Sequence, residues 1–122
     1  MDSRPFSISS RFRSFRFAFA GIKDFFAAQH NAIIHLLATI AVLAAMFFFD
    51  LSGAEKIALV LSIGFVWAAE FFNTAIEKLC DLYSTDFHPA IKMIKDVAAA
   101  AVLIAAAAAV ITGCIIFLPK IF

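Results

Sequence analysis

Three apolar stretches run along this chain, at residues 31–51, 57–82 and 97–118. Each is near the ~20 residues that cross a bilayer core as an α-helix. A polar run at 50–56 separates the first two, and a turn-forming run, Tyr83 to Pro89, separates the second and third. Upstream, Phe12, Phe15, Phe19, Ile22 and Phe26 recur at alternating spacings of 3 and 4, which is one face of a helix. Arg11, Arg13, Arg16 and Lys23 flank that stripe, where their heads can reach lipid headgroups. The pattern predicts a tail at 1–10, an amphipathic surface helix at 11–28 and a three-helix transmembrane domain at 29–122. A soluble helix that packs on a partner is the other reading of 11–28.

One polar face interrupts the second stretch. Glu70, Asn73, Glu77 and Asp81 are spaced 3, 4 and 4 residues apart and so stack on one side of the helix. A carboxylate at full depth costs ~2.5–3.5 kcal/mol on insertion scales, against ~0.3–0.6 returned by each Leu, Ile, Val or Phe. Acids in a span therefore point to function. Glu70 lies 14 residues beyond Lys56, or ~21 Å along the helix. Glu77 and Asp81 then fall near the interface, and Glu70 is expected to face a protein-lined, partly wet cavity. The competing reading is interhelical glue, a role open to Asn73 and Glu77.

Composition and charge narrow the class. The chain has 122 residues, 64% hydrophobic and 16% charged, with a mean hydropathy of +0.97. So short a soluble domain cannot bury that much apolar surface. The net charge of +1 decides nothing, and no basic patch suggests nucleic acid as a partner. The N-terminus, broken by Arg4, Arg11, Arg13 and Arg16, does not read as a signal peptide. Cys80 and Cys114 are expected near opposite membrane faces, too far apart to pair. Alanines at 98–101 and 105–109 suit close helix packing.

Basic residues set the orientation. Five lie in the N-terminal segment, and Lys78, Lys92 and Lys95 surround the second connection, against Lys56 and Lys120 elsewhere. The N-terminus and the second connection are therefore expected on the cytoplasmic side. Lys95 and Asp96 open the third span on that same side. A pocket of Glu70, Asn73, Glu77, Asp81, Lys95 and Asp96 follows. Oxygen donors of this kind suit Mg²⁺ shared with phosphates, and lysine is a point charge for a phosphate. Phosphoryl transfer at the membrane surface is the chemistry these parts favour. An ion or proton conductor through Glu70 ranks below it, because the first and third spans offer no polar path.

The run EFFNTAIE at residues 70–77, with Asp81, His88-Pro89 and Lys95-Asp96 before an alanine-rich span, resembles the prokaryotic diacylglycerol kinase/undecaprenol kinase family. Ser14-Phe15, Gly21, Asn31 and His35 extend the likeness over nearly the whole chain. The resemblance implies an all-α integral membrane kinase, homotrimeric, with three transmembrane helices and an N-terminal surface helix per subunit. It would transfer the γ-phosphate of ATP, with Mg²⁺, to the hydroxyl of a membrane lipid, diacylglycerol or undecaprenol, at the cytoplasmic membrane. By the same resemblance Glu70 is the catalytic base, and Glu77 is a metal ligand with Gln29. Phe17, Gln29, Glu77, Asp86, Phe87, His88, Lys95 and Asp96 meet the nucleotide. Asn73, Asp81 and Asn31 support the site or the lipid. Two positions depart from the pattern. Gln29 stands where the family usually has glutamate, and Ile33 where it usually has arginine. Weaker metal or nucleotide affinity is expected from these changes. A catalytically silent member serving as a membrane scaffold or regulator is the alternative.

Overall fold

The computed structural model describes residues 5–122, so residues 1–4 of the expected tail, Arg4 included, lie outside the described residues. The described residues form four helices: α1 (Ile8–Ala28), α2 (Ala32–Phe48), α3 (Gly53–Tyr83) and α4 (Pro89–Ile121). No strand occurs among the described residues. The chain divides into two compact units, Met1–Ile33 and Ile34–Phe122.

In the first unit, α1 starts at Ile8, three residues ahead of the expected start at 11, with Ser7 as its N-cap. The Ser10 hydroxyl donates to the Ser7 carbonyl at 2.7 Å and continues the turn backwards. The helix stops at Gln29, whose extended backbone still donates its N–H to Phe25 O. Phe12, Phe15 and Phe19 stand 62–71% exposed, so the first half of the apolar stripe is open, while Phe26 at its end packs against Phe25. Phe25, off the stripe, is the buried residue of this helix.

In the second unit, α3 and α4 are each long and apolar enough to cross a bilayer. Their 31 and 33 residues amount to ~46 and ~50 Å, so both outrun a ~30 Å hydrocarbon core. The 17 residues of α2 give ~25 Å, the short limit for a span. It is shorter than the apolar stretch at 31–51 because Ser52 claims the chain for the next helix. The Ser52 hydroxyl accepts from Glu55 N at 3.1 Å, and the Glu55 carboxylate accepts from Ser52 N at 3.0 Å. This reciprocal cap satisfies two otherwise unpaired N–H groups of the first turn of α3. His88 caps α4 in turn, its Nδ1 accepting from Ala90 N at 3.1 Å, with Pro89 in the first turn.

Packing explains the alanines. Ala98 and Ala105, two turns apart on α4, are buried, as are Leu59, Thr74 and Cys80 on α3. Small side chains let the two backbones close on one another. Below this contact, Leu51, Leu59 and Ile116 form a buried cluster covered by Val42 and Met46 of α2 and by Phe49 and Phe117. The Phe49 and Phe117 rings meet at 5.4 Å. Outside these contacts the spans present bare hydrocarbon: Phe65, Leu103, Ile104 and Ile115 are each about 70% exposed. Both cysteines are free thiols, as expected.

Candidate functional site on α3

The polar face of α3 is built as its spacing requires, and each side chain finds a different partner. Glu70 lies deepest, with only 13% of its side chain exposed, and its Oε1 is 2.7 Å from His35 Nε2 on α2. One turn on, Asn73 Nδ2 donates to Glu77 Oε1 at 3.2 Å. That orientation leaves Asn73 Oδ1 buried with no hydrogen-bond partner among the described residues. A buried acceptor left bare costs ~1–3 kcal/mol, so this atom stands ready for a donor or a cation. At the helix end Asp81 Oδ1 accepts from Lys95 Nζ of α4 at 2.8 Å. This pair is open to solvent, with 37% and 46% side-chain exposure.

Not all of the expected pocket comes together. Lys95 joins the face through Asp81, but Asp96 turns to Lys92, four residues earlier on its own helix. Both members of that pair are exposed, and helical spacing alone accounts for it. Asp86, Phe87 and His88 lie in the connection before α4. The Asp86 N–H is held by the Ser84 hydroxyl at 3.1 Å, Phe87 is exposed, and His88 spends Nδ1 on its cap. In the other unit Phe17 is exposed on α1, Gln29 is half-buried at the helix C-cap, and Asn31 is exposed in the turn that follows.

Sequence reasoning missed a second polar layer. The first span was expected to carry no polar path, yet Thr39 and His35 both face α3. Trp67 Nε1 donates to Thr39 Oγ1 at 2.9 Å, and Thr39 Oγ1 donates to the His35 carbonyl at 2.8 Å. The His35 and Trp67 rings meet edge to face at 6.1 Å. The signal was available: a histidine and a threonine four residues apart in an otherwise apolar helix share a face.

The donor set constrains the metal question. Among the described residues no three His, Cys, Asp or Glu side chains are grouped to hold an ion. Glu77 with the bare amide oxygen of Asn73 is too little for a self-sufficient centre. It does fit a hard divalent cation that arrives on phosphates, which Mg²⁺ commonly does with one or two carboxylates.

The sequence is similar to known proteins. Residues 16–117 match the family model described as prokaryotic diacylglycerol kinase. The chain is 38% identical over 123 residues to an undecaprenol kinase of Bacillus subtilis, covering 99% of this chain and 100% of that protein. It is 40% identical over 109 residues to a diacylglycerol kinase of Synechocystis, covering 88% of this chain and 62% of that one. A diacylglycerol kinase of Escherichia coli is 37% identical over 67 residues, 55% of each chain. A half-buried carboxylate face on a membrane-length helix and a match over most of the sequence lead to one conclusion: the chain belongs to the prokaryotic diacylglycerol kinase family.

Proposed function

We propose that this chain transfers the γ-phosphate of ATP to the hydroxyl of a membrane lipid, diacylglycerol or undecaprenol, at the cytoplasmic membrane surface. The observation that carries the reading is Glu70, a nearly buried carboxylate held by one oxygen on a span. Its Oε2, the oxygen not engaged by His35, takes the proton from the lipid hydroxyl. The hydroxyl oxygen then bonds to the γ-phosphorus as the bond to ADP breaks, and the proton leaves Glu70 for water. A base near the reacting proton contributes ~10²–10⁴-fold to such a step.

Glu77 and Asn73 would hold Mg²⁺ with the triphosphate, and Gln29 is a candidate oxygen donor by the family resemblance alone. When bound, that ion neutralises charge on the phosphates and orients them. Lys95 exchanges Asp81 for a phosphate oxygen, and Asp86, Phe87, His88 and Asp96 contact the nucleotide; Phe17 is a nucleotide contact by the family resemblance alone. Asn31 supports the lipid side. The exposed Phe12, Phe15 and Phe19 stripe lets α1 lie in the headgroup layer, with its arginines reaching phosphates. The bare apolar faces of α3 and α4 suit partner helices of a homotrimer, which would also enclose Glu70. The distribution of basic residues supports a cytoplasmic N-terminus, with this face on the same side.

The test is purified protein in detergent or bilayers with labelled ATP, Mg²⁺ and the two lipid alcohols side by side. One alcohol is phosphorylated, and Glu70→Gln abolishes transfer; full activity in that variant removes Glu70 from the role of base. Gln29 favours a second reading, a silent scaffold, because a neutral amide replaces an acid there. On that reading neither ATP nor Mg²⁺ shifts the thermal midpoint of the protein, since a ligand of the folded state must raise it.

A further inference from the structure

Glu70 does not act alone. From the geometry around it we infer that His35 is a positioning residue, which holds the Glu70 carboxylate so that Oε2 alone meets the acceptor hydroxyl. The inference rests on the reading of Glu70 as the base.

An ionised carboxylate only accepts hydrogen bonds, so at 2.7 Å the proton of the His35–Glu70 contact belongs to His35 Nε2. Oε1 is thereby occupied. The imidazole meets the Trp67 ring edge to face at 6.1 Å. Trp67 donates to Thr39, whose hydroxyl donates to the His35 carbonyl, so the same indole ties the turn of α2 that carries the histidine to α3. Trp67 precedes Glu70 by one helical turn, so the elements that fix the histidine and the carboxylate it holds share one face of α3. At 28% side-chain exposure His35 is partly screened from water, and among the described residues its Nε2 is the hydrogen-bonding partner of Glu70. A carboxylate without it rotates about its last torsion, and the oxygen that must face the hydroxyl loses its fixed direction. Loss of alignment of this size costs on the order of 100-fold in rate.

The test uses the full chain in mixed micelles and three variants. His35→Met keeps length and apolar bulk but has no N–H, while His35→Gln restores a donor. The expected result is a kcat lowered on the order of 100-fold in His35→Met, with KM for ATP within about twofold of the parent. His35→Gln recovers most of that loss. Glu70→Gln, measured beside them, is inactive. Parental kcat in His35→Met with Glu70→Gln inactive overturns the positioning role and leaves Glu70 as base. Activity in Glu70→Gln overturns the base and this inference with it. A loss in His35→Met that His35→Gln does not recover means a packing role and overturns the inference too. Should His35→Met not fold, the unsubstituted protein answers instead. Labelled with ¹⁵N at histidine, it shows the signal missing from His35→Gln with its proton on Nε2. A proton on Nδ1 alone overturns the assignment.

Discussion

Replacing Asn73 by aspartate puts a second carboxylate where an amide N–H now sits 3.2 Å from Glu77 Oε1. Two unit charges at that separation repel by about 5 kcal/mol at an effective dielectric of 20. The pair can escape by taking up one proton, which costs about 3.7 kcal/mol at pH 7 from the reference carboxyl value. The two routes agree, so Asn73→Asp should be less stable than the parent by about 4 kcal/mol without divalent ions. A divalent cation between the carboxylates replaces the proton and removes the repulsion. At a free concentration 100 times its dissociation constant it returns about 2.7 kcal/mol. The assay is thermal unfolding in detergent across a Mg²⁺ titration, with ionic strength held constant by NaCl. The expected result is a midpoint that rises with the logarithm of Mg²⁺ in Asn73→Asp and much less in the parent. A midpoint in Asn73→Asp that ignores Mg²⁺ refutes the placing of metal beside Glu77. The readout needs no turnover, so it holds even for a catalytically silent protein.

Gln29→Glu restores an acid and should raise Mg²⁺-dependent turnover; equal activity in both chains removes Gln29 from the metal site. Lys95→Met should raise KM for ATP by about tenfold or more, the usual scale of a charged hydrogen bond, with little change in kcat. An unchanged KM takes Lys95 out of the nucleotide site. Leu59→Ala opens a cavity beside Leu51 and Ile116 in the buried cluster. In water that change costs ~2–5 kcal/mol, but in a span the methyl groups leave protein for lipid, so only the packing loss of about 1–3 kcal/mol remains. Denaturant unfolding in micelles measures it, and a loss near 5 kcal/mol would mean that unfolding exposes this site to water.

The polar face of α3 was legible because spacing within one helix fixes which residues share a side. Glu70, Asn73, Glu77 and Asp81 needed nothing more. The partner of Glu70 was not legible. Spacing says nothing of how one helix is rotated against another, and in a membrane apolar residues line both the lipid and the protein side. His35 and Thr39 mark a polar face on α2, but whether that face meets α3 or another neighbour cannot be read from α2 alone. Asp96 shows a second limit of spacing. Its neighbour Lys95 does reach Asp81, but adjacent positions on a helix point about 100° apart, and Lys92 was the partner its spacing offered. The end of α2 was missed because Leu51 is apolar yet non-helical, buried beneath the cap that Ser52 makes for α3.

Thr39 gives α2 a fixed stop. Sliding α2 by one turn, ~5.4 Å, so that Thr39 came level with Glu70 would bring Leu43 opposite Trp67. The indole N–H would then point at a hydrocarbon side chain inside a medium that offers no replacement, a penalty of several kcal/mol. A single hydroxyl, bound on both sides, thus acts as a pawl that admits one axial position and keeps the imidazole level with the carboxylate it serves.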